Sequence, residues 1–319
     1  MSFSSSAKSE LCRIRLKESC CRLAELAAFI YLNGTILFSG NGKVRLYLTT
    51  ENVAVARRMF MLIRNLYSIH PGIYVRKNRR LRKNNVYMVS VLQPDQAEKI
   101  LKDAHVLYTN EVNSTDIYTG IYCRLIEKEC CKRAYLRGAF LATGSISDPR
   151  RTYHLEITTR NQQYAMDLLE LMQCFDMRGK SIERKGNYVV YLKESENIVY
   201  FLNVVGAHGA LLELENIRVR KDMRNSINRL VNCETANLEK TVNAALRHIE
   251  NIKLIDECIG LNKLSPSLRE IAELRLKYTD ASLKELGEML IPPIGKSGVN
   301  HRLRKLDRIA DDLRRKGEI

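Results

Sequence analysis

The chain has 319 residues, 45% of them hydrophobic and 28% charged. That length sustains two or three domains with their own cores and excludes a disordered tail or a disulfide-stapled miniprotein. The 52 Lys and Arg against 36 Asp and Glu leave a net charge of +16, an excess that calls for a polyanionic partner.

The opening run, Met1 to Lys17, turns polar and charged where a signal peptide would be apolar, and no stretch of about 18 apolar residues occurs. A cytoplasmic protein is expected, with no membrane contact. Nine cysteines, an odd number with no CxxC pair, read as reduced thiols rather than disulfides or zinc ligands; no metal and no other cofactor is expected.

Sliding the chain against itself by 110 residues exposes a duplication. Glu18 to Ile36 lies over Lys128 to Ile146, and both copies read CC-[RK]-x-A-x-L, closing on Asn33-Gly34-Thr35-Ile36 and Thr143-Gly144-Ser145-Ile146. The match resumes where Leu46 to Asn52 lies over Leu155 to Asn161. Each copy therefore predicts a helix, a glycine turn, two strands, a helix, two strands and a further helix. Small residues in the motif helices (Ala24, Ala27, Ala28; Ala134, Gly138, Ala139, Ala142) let two helices approach closely. Gly34 and Gly144 are expected as left-handed caps. The cysteine pairs Cys20-Cys21 and Cys130-Cys131 are expected as buried small hydrophobes.

Residues 1–110 hold 18 Lys and Arg against 7 Asp and Glu. The densest part, Arg76, Lys77, Arg79, Arg80, Arg82 and Lys83, lies between strand-like segments and predicts a basic hairpin. It is either a solvated turn or a ribbon that tracks DNA phosphates.

Leu136-Arg137-Gly138-Ala139-Phe140-Leu141-Ala142-Thr143-Gly144 resembles the LAGLIDADG signature of homing endonucleases, and Leu26 to Gly34 is its degenerate partner. In those nucleases the last acidic residue of each signature holds the divalent metal. The corresponding positions here are Asn33 and Thr143, neither of which supplies an anionic ligand. No catalytic residue is therefore assigned. Asp148 is close by, but an Asp before Pro149 in a Ser-containing segment reads as a turn former.

From about Asn216 the pattern is wholly helical and rich in Asn. A polar bridge is the plain reading; contact with phosphate or a partner through Arg224, Asn228, Arg229 and Lys240 is the other. Leu264-Ser265-Pro266 marks a boundary. Beyond it three helices are predicted: about Ser267 to Lys277, a second opening at Ser282 with Glu285 completing a capping box, and a third from Lys296 or Ser297 that buries Val299, Leu303, Leu306 and Ile309 or Ala310. Ile291-Pro292-Pro293-Ile294-Gly295 must interrupt the second. A three-helix bundle without DNA function has this form, and so does a helix-turn-helix. In the second case Asn300 suits adenine, Arg304 guanine, Lys296 and Ser297 phosphate, Lys305 joins the basic face, and His301 reads DNA or packs against the turn.

The ordered set resembles the WhiA family of Gram-positive bacteria, most specifically over Arg133 to Leu141 and Gly295 to Lys305. The resemblance implies an α+β fold: a degenerate, pseudo-twofold LAGLIDADG-like domain over residues 1–215, with repeats at about 1–110 and 111–215, then a helical linker at 216–263 and an all-α helix-turn-helix domain at 264–319. It further implies a non-enzymatic, nucleoid-associated regulator of transcription linked to sporulation, cell division and chromosome organisation. Double-stranded DNA is the expected partner, with a second regulatory protein beside it, and the chain is expected as a monomer. The competing readings are a metal-dependent DNA endonuclease and a nucleoid-associated interaction scaffold.

Overall fold

A computed structural model describes residues 2–39, 43–76, 85–109, 115–315 and 317. The chain divides into two compact units, residues 1–221 and 222–319.

The first unit opens with α1 (Phe3–Leu11) and then runs the same succession twice. The first copy is α2 (Ser19–Asn33), β1 (Gly34–Ser39), β2 (Lys43–Thr50), α3 (Val53–Tyr67), β3 (Gly72–Arg76), β4 (Val86–Val91) and α4 (Pro94–Asp103). A small pair, β5 (Leu107–Thr109) with β6 (Thr115–Ile117), and a 3-10 turn (Cys123–Ile126) lead to the second. That copy is α5 (Glu129–Thr143), β7 (Gly144–Ile146), β8 (Leu155–Thr159), α6 (Gln162–Gln173), β9 (Lys180–Arg184), β10 (Asn187–Leu192) and α7 (Ser195–Val205). The sheets are antiparallel with matching orders, β1-β2-β4-β3 and β7-β8-β10-β9. This is the duplicated succession that the self-match predicts.

Local chemistry repeats as well. The Asn52 side chain accepts from the Ala54 and Val55 N–H groups to start α3, and Asn161 accepts from Tyr164 N–H to start α6. In β2, Val44, Leu46 and Leu48 alternate inward onto the core while Lys43 and Arg45 stay exposed. The motif helices α2 and α5 pack against each other at the centre of the core. A Cβ on Gly138 would meet the Glu25 carbonyl oxygen at 2.6 Å and Ala28 Cβ at 2.9 Å, so only glycine fits this crossing.

The glycine caps differ from expectation. Gly34 (φ −77°) and Gly144 (φ −70°) are extended, not left-handed. Each is required by crowding: a Cβ there would collide with the preceding helical turn, at the Ile30 carbonyl or at Phe140. Both copies turn directly from helix into strand, and the close approach selects glycine.

Across this central packing runs a buried ionic cluster. Glu25 on α2, fully buried, accepts from Arg58 Nε (2.6 Å) and Nη2 (3.0 Å) on α3 and from Arg137 Nη1 (3.3 Å) on α5. Arg137 Nε also donates to the Val205 carbonyl at 2.7 Å.

Helix α8 (His208–Ile259) begins in the first unit and ends in the second. The structure therefore divides the chain at 221/222 rather than at 215/216 and 263/264. The segment expected as a separate linker is one helix whose final turns carry Ile252 and Ile255 into the second unit's core. That unit continues with a 3-10 turn (Leu261–Lys263), α9 (Pro266–Lys277), α10 (Leu283–Glu288) and α11 (Lys296–Arg315). Ile271, Ala272, Leu286, Leu290, Val299, Leu303, Leu306, Ala310 and Leu313 complete its core. No helix among the described residues is long and apolar enough to cross a membrane.

Candidate nucleic-acid interface

In the second unit, α9 and α10 hold α11 in place. Arg275, buried on α9, donates from Nη1 to the carbonyls of Thr279 (3.2 Å) and Ala281 (2.7 Å), which fixes the α9–α10 turn. Ser282 accepts from Glu285 N–H while the Glu285 carboxylate accepts from Ser282 N–H at 2.7 Å, forming the expected capping box. Those bonds hold the Glu285 carboxyl below its usual range.

The chain then leaves α10 through Met289 to Gly295, with a cis Ile291–Pro292 bond. Ile294 N–H donates to the Gly287 carbonyl at 3.0 Å, and a Cβ on Gly287 would strike the Ile294 carbonyl. Gly295 then accepts from the Gly298 and Val299 N–H groups as α11 begins.

One side of α11 is anchored. Val299, Leu303, Leu306 and Ala310 are buried, while Ile309 is half-buried. Arg302 reaches α9, at 3.3 Å from the Ser267 carbonyl and 3.7 Å from Glu270 Oε2. Asp307 accepts from Asn251 Nδ2 (2.8 Å) and Arg247 Nη2 (3.3 Å) at the end of α8, and Arg314 Nη2 donates to Asn251 Oδ1 at 2.7 Å. His248 is buried with Nε2 at 3.6 Å from Asp307 Oδ2, and burial pushes its pKa down.

The other side is open. Lys296, Ser297, His301, Arg304 and Lys305 are exposed, and Asn300 is half-buried. The side chains of the six form no hydrogen bond or ion pair with another described residue. His301 is exposed rather than packed on the turn. Arg308 continues the same face one turn beyond Arg304 and is also exposed. Sequence reasoning missed it, although the four-residue spacing from Arg304 is legible. Asp307, the one acid between Lys296 and Arg308, is engaged with α8, so the open face carries Lys296, Arg304 and Lys305 without a carboxylate among them, while Arg308 is followed one turn on by the exposed Asp311 and Asp312.

Of the basic hairpin, Arg76 is described: it ends β3, exposed, paired with Val86. Lys77, Arg79, Arg80, Arg82 and Lys83 lie outside the described residues. The register puts Arg76 on the outer face of its sheet with Tyr74, Arg45, Lys43 and Tyr47, and no carboxylate shares that face among the described residues. Lys43 and Arg45 were not singled out from sequence; the alternation Lys43-Val44-Arg45-Leu46 was the available signal.

Asn33 and Thr143, the last residues of α2 and α5, line one cavity of about 380 Å³ together with Thr49, Thr158 and Arg160. Among the described residues no Asp or Glu lines it, while Asn33 also borders a second cavity of about 930 Å³ whose lining includes Glu51. Asn33 Nδ2 donates to the Thr49 carbonyl at 3.0 Å, while Asn33 Oδ1 and Thr143 Oγ1 are buried without a partner. Asp148 is exposed, and its carboxylate accepts from Arg150 N–H at 2.9 Å, the geometry of a turn former.

The cysteines depart from expectation. Cys21 and Cys131 are buried, but Cys20 is half-buried and Cys130 exposed. The four, which the sequence offers as equivalent pairs of the two repeats, lie together with all Sγ atoms within 4.8 Å of one another.

Comparison with known proteins matches three domain families in order along the chain. They are the WhiA N-terminal LAGLIDADG-like domain over residues 19–107, the WhiA LAGLIDADG-like domain over 132–224 and the WhiA C-terminal HTH domain over 227–310. The chain is 54% identical to the probable cell division protein WhiA of Alkaliphilus metalliredigens, covering 99% of both chains. It is 48% identical to the protein of the same description from Clostridium botulinum, covering 98% of this chain and 99% of that one. The crystal structure of full-length DUF199/WhiA from Thermatoga maritima aligns over 98% of this chain and 99% of its own, with TM-score 0.61 and 25% identity. With three successive domains matched and near-complete coverage at this identity, the chain belongs to the WhiA family.

Proposed function

We propose that this chain is a DNA-binding regulator of transcription, acting in sporulation or in cell division and chromosome organisation, whose LAGLIDADG-like domain cuts no DNA. One observation carries the reading. Helix α11 is anchored on one side by Val299, Leu303, Leu306 and Ala310 and leaves Lys296, Ser297, His301, Arg304, Lys305 and Arg308 exposed on the other. A helix of this kind enters the major groove with its N-terminal side chains on base edges. Arg304 pairs with guanine and Asn300 with adenine, while Lys296, Ser297, Lys305 and the positive helix start take phosphates. The partner is double-stranded DNA, met in the nucleoid by a monomeric protein. The basic hairpin (Arg76, Lys77, Arg79, Arg80, Arg82, Lys83) adds salt-sensitive affinity without sequence preference.

The absence of cleavage is supported by the neutral side chains of Asn33 and Thr143 and by the cavity they share, which no carboxylate lines among the described residues. In-line phosphodiester cleavage with Mg²⁺ needs oxygen anions to hold the ion. Binding of the purified protein to promoter and scrambled duplexes across a salt series, with and without Mg²⁺, tests both parts. Tighter binding to one sequence with intact products supports the reading. Nicked products that vanish in Asp148→Asn would establish the endonuclease instead. The scaffold reading, with a second regulatory protein as partner, draws on α8, where Met223, Ile227, Leu230 and Leu238 are exposed.

A further inference from the structure

The two halves of the duplicated domain bring four thiols to one point. Cys20 and Cys21 are the second and third residues of α2; Cys130 and Cys131 are the second and third residues of α5. All four Sγ atoms lie within 4.8 Å of one another, and those of Cys130 and Cys131 are 4.0 Å apart. Four thiolates around zinc at about 2.3 Å require S···S separations of roughly 3.8 Å. The quartet therefore needs a contraction of about an ångström or less and no movement of the helices.

The two helix starts are open to an anionic acceptor. Neither helix has a side-chain N-cap: Glu18 and Lys128 make no capping hydrogen bond, whereas Asn52 and Asn161 cap α3 and α6. The first-turn N–H groups of α2 and α5 thus lack a side-chain acceptor at the point where sulfur would carry negative charge. Each pair is followed directly by a cation: Arg22 donates from Nη2 to the Lys17 carbonyl at 2.6 Å and keeps a buried, unpartnered Nε, and Lys132 Nζ lies 3.4 Å from Cys174 Sγ. The exposed Cys130 and half-buried Cys20 give a metal ion its entry.

We propose that Cys20, Cys21, Cys130 and Cys131 form a tetrathiolate zinc site that staples the two repeats together. One Zn²⁺ replaces four thiol protons, which pass to solvent, and the product carries a net charge of −2 at the positive starts of two helices. With four protein ligands no position is left for water, so the site is structural. It is separate from the cavity at Asn33 and Thr143, which lies at the opposite, C-terminal ends of the same helices.

The test uses full-length protein purified with reductant and without chelator. Elemental analysis should find about one zinc per chain, as a closed tetrahedral site demands. Replacement by Co²⁺ should give the charge-transfer and visible bands of a tetrahedral tetrathiolate. The Cys20→Ser/Cys130→Ser variant, which changes the two more accessible ligands, should lose both signals. Cys233→Ser, an exposed cysteine on α8, should keep them. Circular dichroism separates ligand loss from unfolding; if the double variant unfolds, the cobalt spectrum of the unaltered chain decides. Three results overturn the proposal: a folded, reduced protein that takes up neither metal, metal content unchanged in the double variant, or cysteine pairs found as disulfides in protein isolated from cells.

Discussion

Replacing Glu25 by Gln would keep the side chain's shape and remove its charge from the middle of the first unit. Glu25 is fully buried, and the side chains of its partners Arg58 and Arg137 are only 10% and 9% exposed. With the carboxylate gone, two guanidinium groups remain desolvated without a counter-ion. Breaking a buried pair in this way costs about 3–5 kcal/mol. Gln retains one carbonyl acceptor for Arg58, so the lower end applies, about 3 kcal/mol. For a unit of this size that lowers the melting temperature by roughly 6–12 °C. Thermal and urea unfolding followed by circular dichroism should show the loss in the transition of residues 1–221 and leave that of residues 222–319 in place. The triple variant Glu25→Leu/Arg58→Met/Arg137→Met should recover most of the stability, because apolar replacement of a whole buried ionic cluster is often neutral. A loss under about 1 kcal/mol in Glu25→Gln, or a triple variant no more stable than it, would refute the view that this cluster joins the repeats.

Acid should weaken the second unit through His248. Its folded pKa is lowered first by burial, so between the unfolded value of 6.5 and the lower folded value the unfolded chain binds the extra proton. The stability His248 contributes is complete above pH 6.5 and declines as pH falls below it; a urea-midpoint profile with the same slope in His248→Gln would count against this. Gly138→Val should destabilise the first unit by about 1–3 kcal/mol through overpacking of the α2–α5 crossing, measured by urea unfolding, and a neutral result would mean the crossing is looser than its contacts indicate. Gly287→Ala should loosen the α10–α11 turn and reduce DNA affinity together with the stability of residues 222–319, a coupling read by melting and binding on one preparation. Replacing Arg79, Arg80 and Arg82 by Ala should reduce the slope of log K against log salt by up to about 2.7 while the preference between sequences persists; an unchanged slope would leave the hairpin a solvated turn.

Much of this architecture was legible in the sequence because the repeat carries its own controls. Two copies with the same order of small, apolar and Asn residues predict the same elements twice, and Asn52 and Asn161 indeed open equivalent helices. The capping box at Ser282 and Glu285 and the spacing of Val299, Leu303, Leu306 and Ala310 located α10 and α11 in the same way. One failure is local: Gly34 and Gly144 look like left-handed caps in one dimension, but the chain turns straight from helix into strand, and the crowding of the preceding turn at Ile30 and Phe140 is the steric reason for glycine. The others concern contacts between distant positions. The cysteine quartet joins residues 110 apart, so no local spacing motif announces it. The reach of α8 into the second core depends on Asn251, Ile252 and Ile255 meeting α11, which periodicity cannot tell from a solvated bridge.

The central claim is that α11 reads DNA. Binding of the full chain and of its Arg304→Ala variant should be measured on a preferred duplex and on a scrambled one at a single salt concentration near 0.15 M. A lost Arg–guanine pair removes about 1–3 kcal/mol of discrimination, so the account predicts that the ratio of the two affinities falls roughly 5- to 150-fold while binding to the scrambled duplex changes little. An Arg304→Ala protein that retains the full ratio would contradict it.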